Sequence, residues 1–242
     1  MRIAAISPSA DDGLPEEEMV RRQKRLESYM SPGTEFEQLY IAGNSIFNEK
    51  FSWKHGLDVM DRTAALAIKA AETRPDVIMI QGGIEPGVKA AREKIKDIPI
   101  VSTGQSTYNA AFQLGEQVGY KLGLIVYEDP VIEPIMDQAR YYRADWMVTD
   151  CRSIGIPTNE LYPRRPEVRE RVIAVAKDLV RDGATMIFPQ GLSMCPATIG
   201  EDELSAEIGV PVLNGLKILV RTAEMMGSLR MLSHAAQTSP LR

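Results

Sequence analysis

Thiol and imidazole groups are scarce in this chain. Its 242 residues include two cysteines, Cys151 and Cys195, and two histidines, His55 and His234. There is no CxxC pair, so the sequence shows no disulfide framework, and a reducing compartment is the natural assumption. No grouping has metal-ligand spacing, so a dedicated metal site is not expected. An excess of one charge is also missing: 28 basic residues against 33 acidic ones give a net charge of -5. That balance supplies no electrostatic reason to expect nucleic acid or an anionic membrane as partner. Long apolar runs are absent too. No stretch approaches a membrane span, and Ile3-Ala4-Ala5-Ile6 is too short and wrongly flanked for a signal-peptide core. A cytoplasmic protein is expected.

What is present is 44% hydrophobic and 25% charged, an ordinary balance for a chain that buries a core. The cluster Arg21-Arg22-Gln23-Lys24-Arg25 follows Glu16-Glu17-Glu18. It reads as an exposed helix with carboxylates near its start and cations later. Two other stretches organise the chain. Val77-Ile78-Met79-Ile80 runs into Gln81-Gly82-Gly83-Ile84-Glu85-Pro86-Gly87, and Ala184-Thr185-Met186-Ile187-Phe188 runs into Pro189-Gln190-Gly191-Leu192-Ser193-Met194-Cys195. Each begins as a buried parallel strand and breaks into glycine and small polar residues where a strand hands over to a helix. Open α/β sheets bind ligands at such carboxyl ends. The two breaks are expected to face each other across one active site.

Taken in order, the patterns place strands at 2–6, 36–41, 77–80 and 98–101, with helices at 15–29, 56–73, 86–94 and 107–117. The chain then starts again. Residues 121–126 echo 2–6 and lead to a helix at 130–142, a strand at 146–148, a helix at 166–181, a strand at 185–188 and a helix at 201–208. Gly209-Val210-Pro211-Val212-Leu213-Asn214-Gly215 parallels Asp97-Ile98-Pro99-Ile100-Val101-Ser102-Thr103, and an apolar helix follows each. The alternation argues for an α/β fold with parallel sheets covered by helices. The repeat argues for two similar Rossmann-like lobes, the first from 1–103 with 216–242 and the second from 104–215.

These segments together resemble the aspartate/glutamate/hydantoin racemase superfamily. Ser7-Pro8-Ser9 stands where that family has an Asn-Pro-Asn-like loop. Gly82-Gly83-Ile84-Glu85-Pro86-Gly87, followed by Ala90-Ala91-Arg92-Glu93, matches its first catalytic segment, Cys-Phe-Gly-Asp-Pro-Gly. Pro99-Ile100-Val101-Ser102-Thr103-Gly104-Gln105 matches the next turn. Gln190-Gly191-Leu192-Ser193-Met194, after Asp182-Gly183-Ala184, matches the second catalytic segment, Gly-Cys-Ala-Gly-Met. The resemblance implies two lobes related by a pseudo-twofold, a ligand in the cleft between them, small carboxylate or cyclic amide substrates and no cofactor. It also implies two cysteines on opposite faces of the substrate, and in this register Gly82 and Gly191 occupy both positions.

Racemisation beside a carbonyl needs two groups of tunable pKa, one to remove a proton and one to return it. Glycine can do neither, but it lets backbone N–H groups approach an anion. Gly82, Gly83 and Ile84 form one candidate cradle; Gly191, Leu192 and Ser193 form another. Candidate acid/base groups are Tyr127, Glu85 and Cys195, and each has an ordinary alternative as a wet aromatic, a solvated carboxylate or a packed thiol. The resemblance supports Tyr127, since decarboxylating and isomerising relatives have a tyrosine at that strand end. Ser9, Asn44 and Gln105 are further candidate substrate contacts, and Glu128 and His55 are lesser acid/base candidates. Three readings follow: an isomerase or racemase using non-cysteine groups; a cofactor-independent decarboxylase or lyase; and a small-molecule binding protein on the same scaffold. The arylmalonate decarboxylase branch has glycine at the first thiol position but keeps the second thiol. A homo-oligomer is compatible with the apolar helices.

Overall fold

The computed structural model describes residues 1–9, 14–43 and 49–229. Its first sheet holds β1 (Arg2–Ser7), β2 (Glu35–Tyr40), β3 (Val77–Ile80) and β4 (Ile100–Ser102) in the order β2-β1-β3-β4, all parallel. The second holds β5 (Leu122–Val126), β6 (Val148–Ser153) and β7 (Met186–Pro189) in the order β6-β5-β7, again parallel. A single parallel bridge from Ile187 to Val212 takes the place that β4 has in the first sheet. The two sheets thus repeat one strand order. The protein is a two-lobed α/β fold.

Alternation along the first sheet decides which helices cover it. Ala4, Ile6, Ile78 and Ile80 face a layer containing Ala67 and Ala70 of α2 (Trp53–Ala71) and Val88 and Ala91 of α3 (Val88–Lys94). Ile3, Ala5, Val77 and Met79 face the other way, toward Leu26 of α1 (Glu16–Tyr29) and Leu219, Val220 and Ala223 of α8 (Gly215–Leu229). Each fully buried Leu, Val or Ile side chain contributes about 1.5–3 kcal/mol, so the last helix belongs energetically to the first sheet. Conversely, Tyr108 and Ala111 of α4 (Thr103–Val118) enter the core of the second lobe, with α5 (Ile132–Tyr141), α6 (Arg165–Arg181) and α7 (Glu201–Ile208) around it. α4 and α8 pack against each other where the lobes meet. Among the described residues, no helix is long and apolar enough to cross a membrane.

Two sequence expectations shift. The strand expected at 146–148 lies at Val148–Ser153, and Asp145–Met147 is a short 3-10 turn. β6 is an edge strand, so one side of Thr149 to Ser153 meets solvent and its polar residues hide the strand pattern. α4 begins at Thr103, four residues before its expected start, for a reason found beside the cleft.

Candidate active site

The carboxyl ends of β1, β3, β5 and β7 open onto one cleft between the lobes, with about 810 Å³ of space, part of it open to solvent. Pro8 and Ser9 follow β1, the turn Gln81 to Pro86 follows β3, Tyr127 follows β5, and Gln190 to Ser193 follow β7. α1 adds Arg22, Arg25 and Leu26, and the segment before α6 adds Thr158 and Leu161.

The two glycine turns meet backbone to backbone. A Cβ placed on Gly83 would lie 1.7 Å from the carbonyl oxygen of Gln190, so only glycine permits this approach. Gly82 has φ +103, in the left-handed region that side chains avoid. The amide N–H groups of Gly82, Gly83 and Ile84, and of Gly191, Leu192 and Ser193, form no hydrogen bond with a described residue. Uncommitted backbone donors at strand ends that line one cleft can serve as an anion cradle.

Tyr127 is buried at the same strand-end level. Burial pushes its hydroxyl pKa well up, and a hydrogen bond with Thr158 offsets part of that shift. Tyr127 is therefore a protonated donor near neutral pH. Arg22 reaches into the cleft from α1. Its Nη1 donates to Ser9 Oγ at 3.0 Å and its Nη2 to the Tyr162 hydroxyl, which in turn lies 3.1 Å from Ser193 Oγ. Ser9 Oγ also pairs with Ser7 Oγ at 2.6 Å. This polar string crosses from one lobe to the other. Beneath it, the buried Glu18 accepts from Arg165 Nη2 at 2.9 Å, a second bridge between the lobes. Arg25, half-buried one turn further along α1, makes no hydrogen bond or ion pair through its side chain with a described residue. An arginine held in a cleft without a carboxylate partner suits an anionic ligand.

Of the residues singled out from sequence, Ser9, Gly82, Gly83, Ile84, Tyr127, Gly191, Leu192 and Ser193 come together here. Asn44 lies outside the described residues. Glu85, Gln105 and Cys195 do not line the cleft. Glu85 turns to the far side, where its carboxylate accepts from the Gln105 N–H at 2.8 Å and the Tyr142 hydroxyl at 2.6 Å. Ser102 makes no side-chain cap for α4. Glu85 supplies the missing acceptor in the first turn, which lets the helix start at Thr103. The Gln105 side chain accepts from Arg92 Nη2 at 2.6 Å, away from the cleft. Cys195 is 1% exposed, and burial raises its thiol pKa strongly; the Cys151 thiol is pushed up to about 12 by the same cause, with Asp150 adding to it. Glu128 is spent on structure, accepting from the Phe51 N–H at 2.9 Å and Thr158 Oγ1 at 2.8 Å. His55 Nδ1 lies 3.1 Å from Glu49, and the ring does not line the cleft. Among the described residues, no group of three His, Cys, Asp or Glu side chains is placed to hold a metal ion.

The model of the Asp/Glu/hydantoin racemase family matches residues 55–223, more than half of the chain. The chain belongs to this family. Solved structures agree on the fold. The protein is similar to allantoin racemase from Klebsiella pneumoniae, with a TM-score of 0.82 at 17% identity over 100% of this chain and 94% of that one. It is similar to allantoin racemase from Pseudomonas fluorescens, with a TM-score of 0.78 at 21% identity over 95% and 92%. Maleate isomerase from Pseudomonas putida follows the same course with a TM-score of 0.68 at 12% identity over 95% and 92%. No curated protein sequence matches the chain. This racemase-family member thus has its family's scaffold, with Gly82 and Gly191 in its two strand-end turns.

The sequence reading missed Arg22, Arg25 and Thr158, which line the cleft, and Tyr162, which joins Arg22 to Ser193. The run from Arg21 to Arg25 read as a solvated face, and the structure corrects this for two of its members. Glu18, Arg22, Arg25 and Leu26 fall at i, i+4, i+7 and i+8, one face of α1. The buried Leu26 marks that face as the inner one, which is the signal that could have revealed the two arginines.

Proposed function

We propose that this family member is a cofactor-independent enzyme that holds a small carboxylate between its lobes and stabilises the negative charge that develops on its α-carbon. Decarboxylation is the reaction class that fits best. One observation carries this reading. The described residues lining the cleft present Arg22, Arg25, Tyr127 and two sets of open N–H groups, and none of them is a carboxylate, histidine or thiol. Such a lining can stabilise an oxyanion through preorganised donors. It is short of a group to take a proton, because burial keeps Tyr127 protonated. In decarboxylation the bond to the departing carboxylate breaks, carbon dioxide leaves, and the electron pair stays on the α-carbon as an enediolate. The remaining oxygens would rest on the glycine N–H groups. Tyr127 would then give its proton to carbon and be reprotonated from water.

Isomerisation by proton removal and return is the second reading, and membership of a racemase family favours it. It needs a base in the cleft. Of the three acid/base candidates taken from the sequence, Tyr127 alone lines the cleft.

The test is incubation in deuterated water with α-substituted malonates, α-chiral carboxylates and hydantoins. Release of carbon dioxide with one deuterium placed on the α-carbon is the expected result. Exchange at the α-carbon without loss of mass would replace the decarboxylase reading with the isomerase one. Tight binding with neither outcome would leave a binding protein.

A further inference from the structure

The peptide between Gly83 and Ile84 is steered from the opposite lobe. Gln138, on α5 of the second lobe, donates from Nε2 to the Gly83 carbonyl at 2.8 Å. A trans peptide is planar, with its C=O and the following N–H pointing in opposite directions. Holding the Gly83 carbonyl therefore fixes the direction of the Ile84 N–H. Gln138 lines a second groove behind the turn, whereas Ile84 lines both that groove and the cleft. The carbonyl is drawn toward the groove, and the N–H, which has no described partner, is turned back toward the cleft.

The donor on Gln138 is itself held in one orientation. Gln190 Nε2 donates to the Tyr108 hydroxyl at 2.8 Å, and that hydroxyl donates to Gln138 Oε1 at 3.3 Å. With Oε1 accepting, the amide must present Nε2 to Gly83. The site is sterically committed as well, because a Cβ on Gly104 would lie 2.4 Å from Gln138 Oε1. The second turn needs no such help. Its Gly191 carbonyl is held by the N–H groups of Met194 at 2.8 Å and Cys195 at 3.0 Å, within its own backbone.

We propose that Gln138 is a positioning residue for the anion cradle, aiming the Ile84 N–H at the ligand through the Gly83 peptide. This rests on the reading of the cleft as a carboxylate site. The test uses the full chain and phenylacetate as probe, with the Ile84 amide followed by NMR and affinity by calorimetry. Phenylacetate is expected to shift the Ile84 amide in the parent protein. Gln138→Met is expected to weaken binding at least tenfold and abolish that shift while the Gly191 and Leu192 amides still respond. Gln138→Glu separates aim from packing. As a carboxylate it cannot donate to Gly83, whereas its protonated form can. Around position 138 stand Tyr108 of α4, Glu85 of the turn, Tyr142 beyond the end of α5, and Asp61, Lys89 and Asp137 along the groove. Lowering the pH from 8 to 5.5 should restore binding to Gln138→Glu far more than it alters the parent. Should Gln138→Met fail to fold, that pH series within one folded sample carries the test. Parent-like binding and an Ile84 shift in Gln138→Met, or no pH rescue in Gln138→Glu, would overturn the role of Gln138 alone. A parent protein that does not bind phenylacetate would overturn the carboxylate reading and this inference with it.

Discussion

Placing a thiol at Gly82 or at Gly191 should have unequal consequences. At Gly82 the backbone sits at φ +103, and an ideal Cβ would lie 3.1 Å from Pro8 Cγ and 3.4 Å from Pro86 Cδ. Both neighbours are proline ring atoms that cannot rotate away. Left-handed backbone costs a non-glycine residue about 1–2 kcal/mol, and strained positions of this kind span about 1–3 kcal/mol. At Gly191 the φ is not positive, and the tightest neighbour is Met194 Cε at 2.9 Å, the end of a flexible side chain. Tyr127 Cδ1, at 3.6 Å, is an ordinary contact. Gly191→Cys should therefore cost under about 1 kcal/mol, the range of a tolerated repacking. For a chain of this size about 1 kcal/mol corresponds to about 2–4 °C in Tm. Gly82→Cys should lower Tm by roughly 2–12 °C and Gly191→Cys by less than about 4 °C. Urea unfolding and calorimetry on the two variants, with thiol titration to verify the new cysteine, decide the matter. Equal stabilities, or a Gly191→Cys variant weaker than Gly82→Cys, would refute the account of why the first position is glycine.

Arg25→Gln removes an arginine side chain without a described partner, so it should leave Tm near the parent value while weakening phenylacetate binding by roughly 10- to 100-fold, the worth of one hydrogen bond to a charged group; calorimetric titration measures it, and unchanged affinity would remove Arg25 from the site. Both native thiols should alkylate slowly at pH 8 in the folded protein, because burial raises the Cys151 pKa to about 12 and raises that of Cys195 as well. Fast, stoichiometric labelling by iodoacetamide would contradict that burial. Glu224 is partly buried, which by itself raises its pKa, but the Ser31 N–H, Thr34 Oγ1, Ser31 Oγ and Arg221 more than reverse this, and the net shift is downward. A depressed carboxyl pKa gives stability that is present above the unfolded value and lost as pH falls through the folded one. Glu224→Gln should thus destabilise the protein by about 1–3 kcal/mol at pH 7 and make Tm less sensitive between pH 5 and 3. A Tm gap to the parent that is as wide at pH 3 as at pH 7 would count against it.

Local signals made the frame of the molecule readable. β3 and β7 are continuous apolar runs buried on both faces, and the glycine break after each marks a strand end wherever it occurs. The start of α4 was not readable, because its first-turn acceptor is Glu85, twenty residues away on another element. Glu85 looked available for chemistry for the same reason: a sequence shows a carboxylate at a strand end but not the N–H and hydroxyl that already occupy it. Cys195 stands one turn beyond a cleft residue, yet the turn carries it inward. Arg22 and Arg25 were hidden by the opposite error. A polar helix face is solvated in most helices, and here the second lobe covers part of it through Tyr162 and Arg165.

The two glycine turns differ in what holds them, and that asymmetry shapes the site. The second turn is fixed by its own backbone, through Met194 and Cys195 closing on Gly191. The first depends on the other lobe at two points: the Gln190 carbonyl packed against Gly83, and Gln138 holding the Gly83 carbonyl. Across the mouth, Glu18 with Arg165 and Arg22 with Tyr162 join the same two lobes. The first turn also closes on itself, through the Glu85 N–H to the Gly82 carbonyl at 3.2 Å, so if the lobes parted only its Gly83–Ile84 peptide would lose its hold while the second turn kept its shape. Loss of the Gln138 contact therefore frees the Ile84 N–H to turn, while the backbone bonds that close both turns remain.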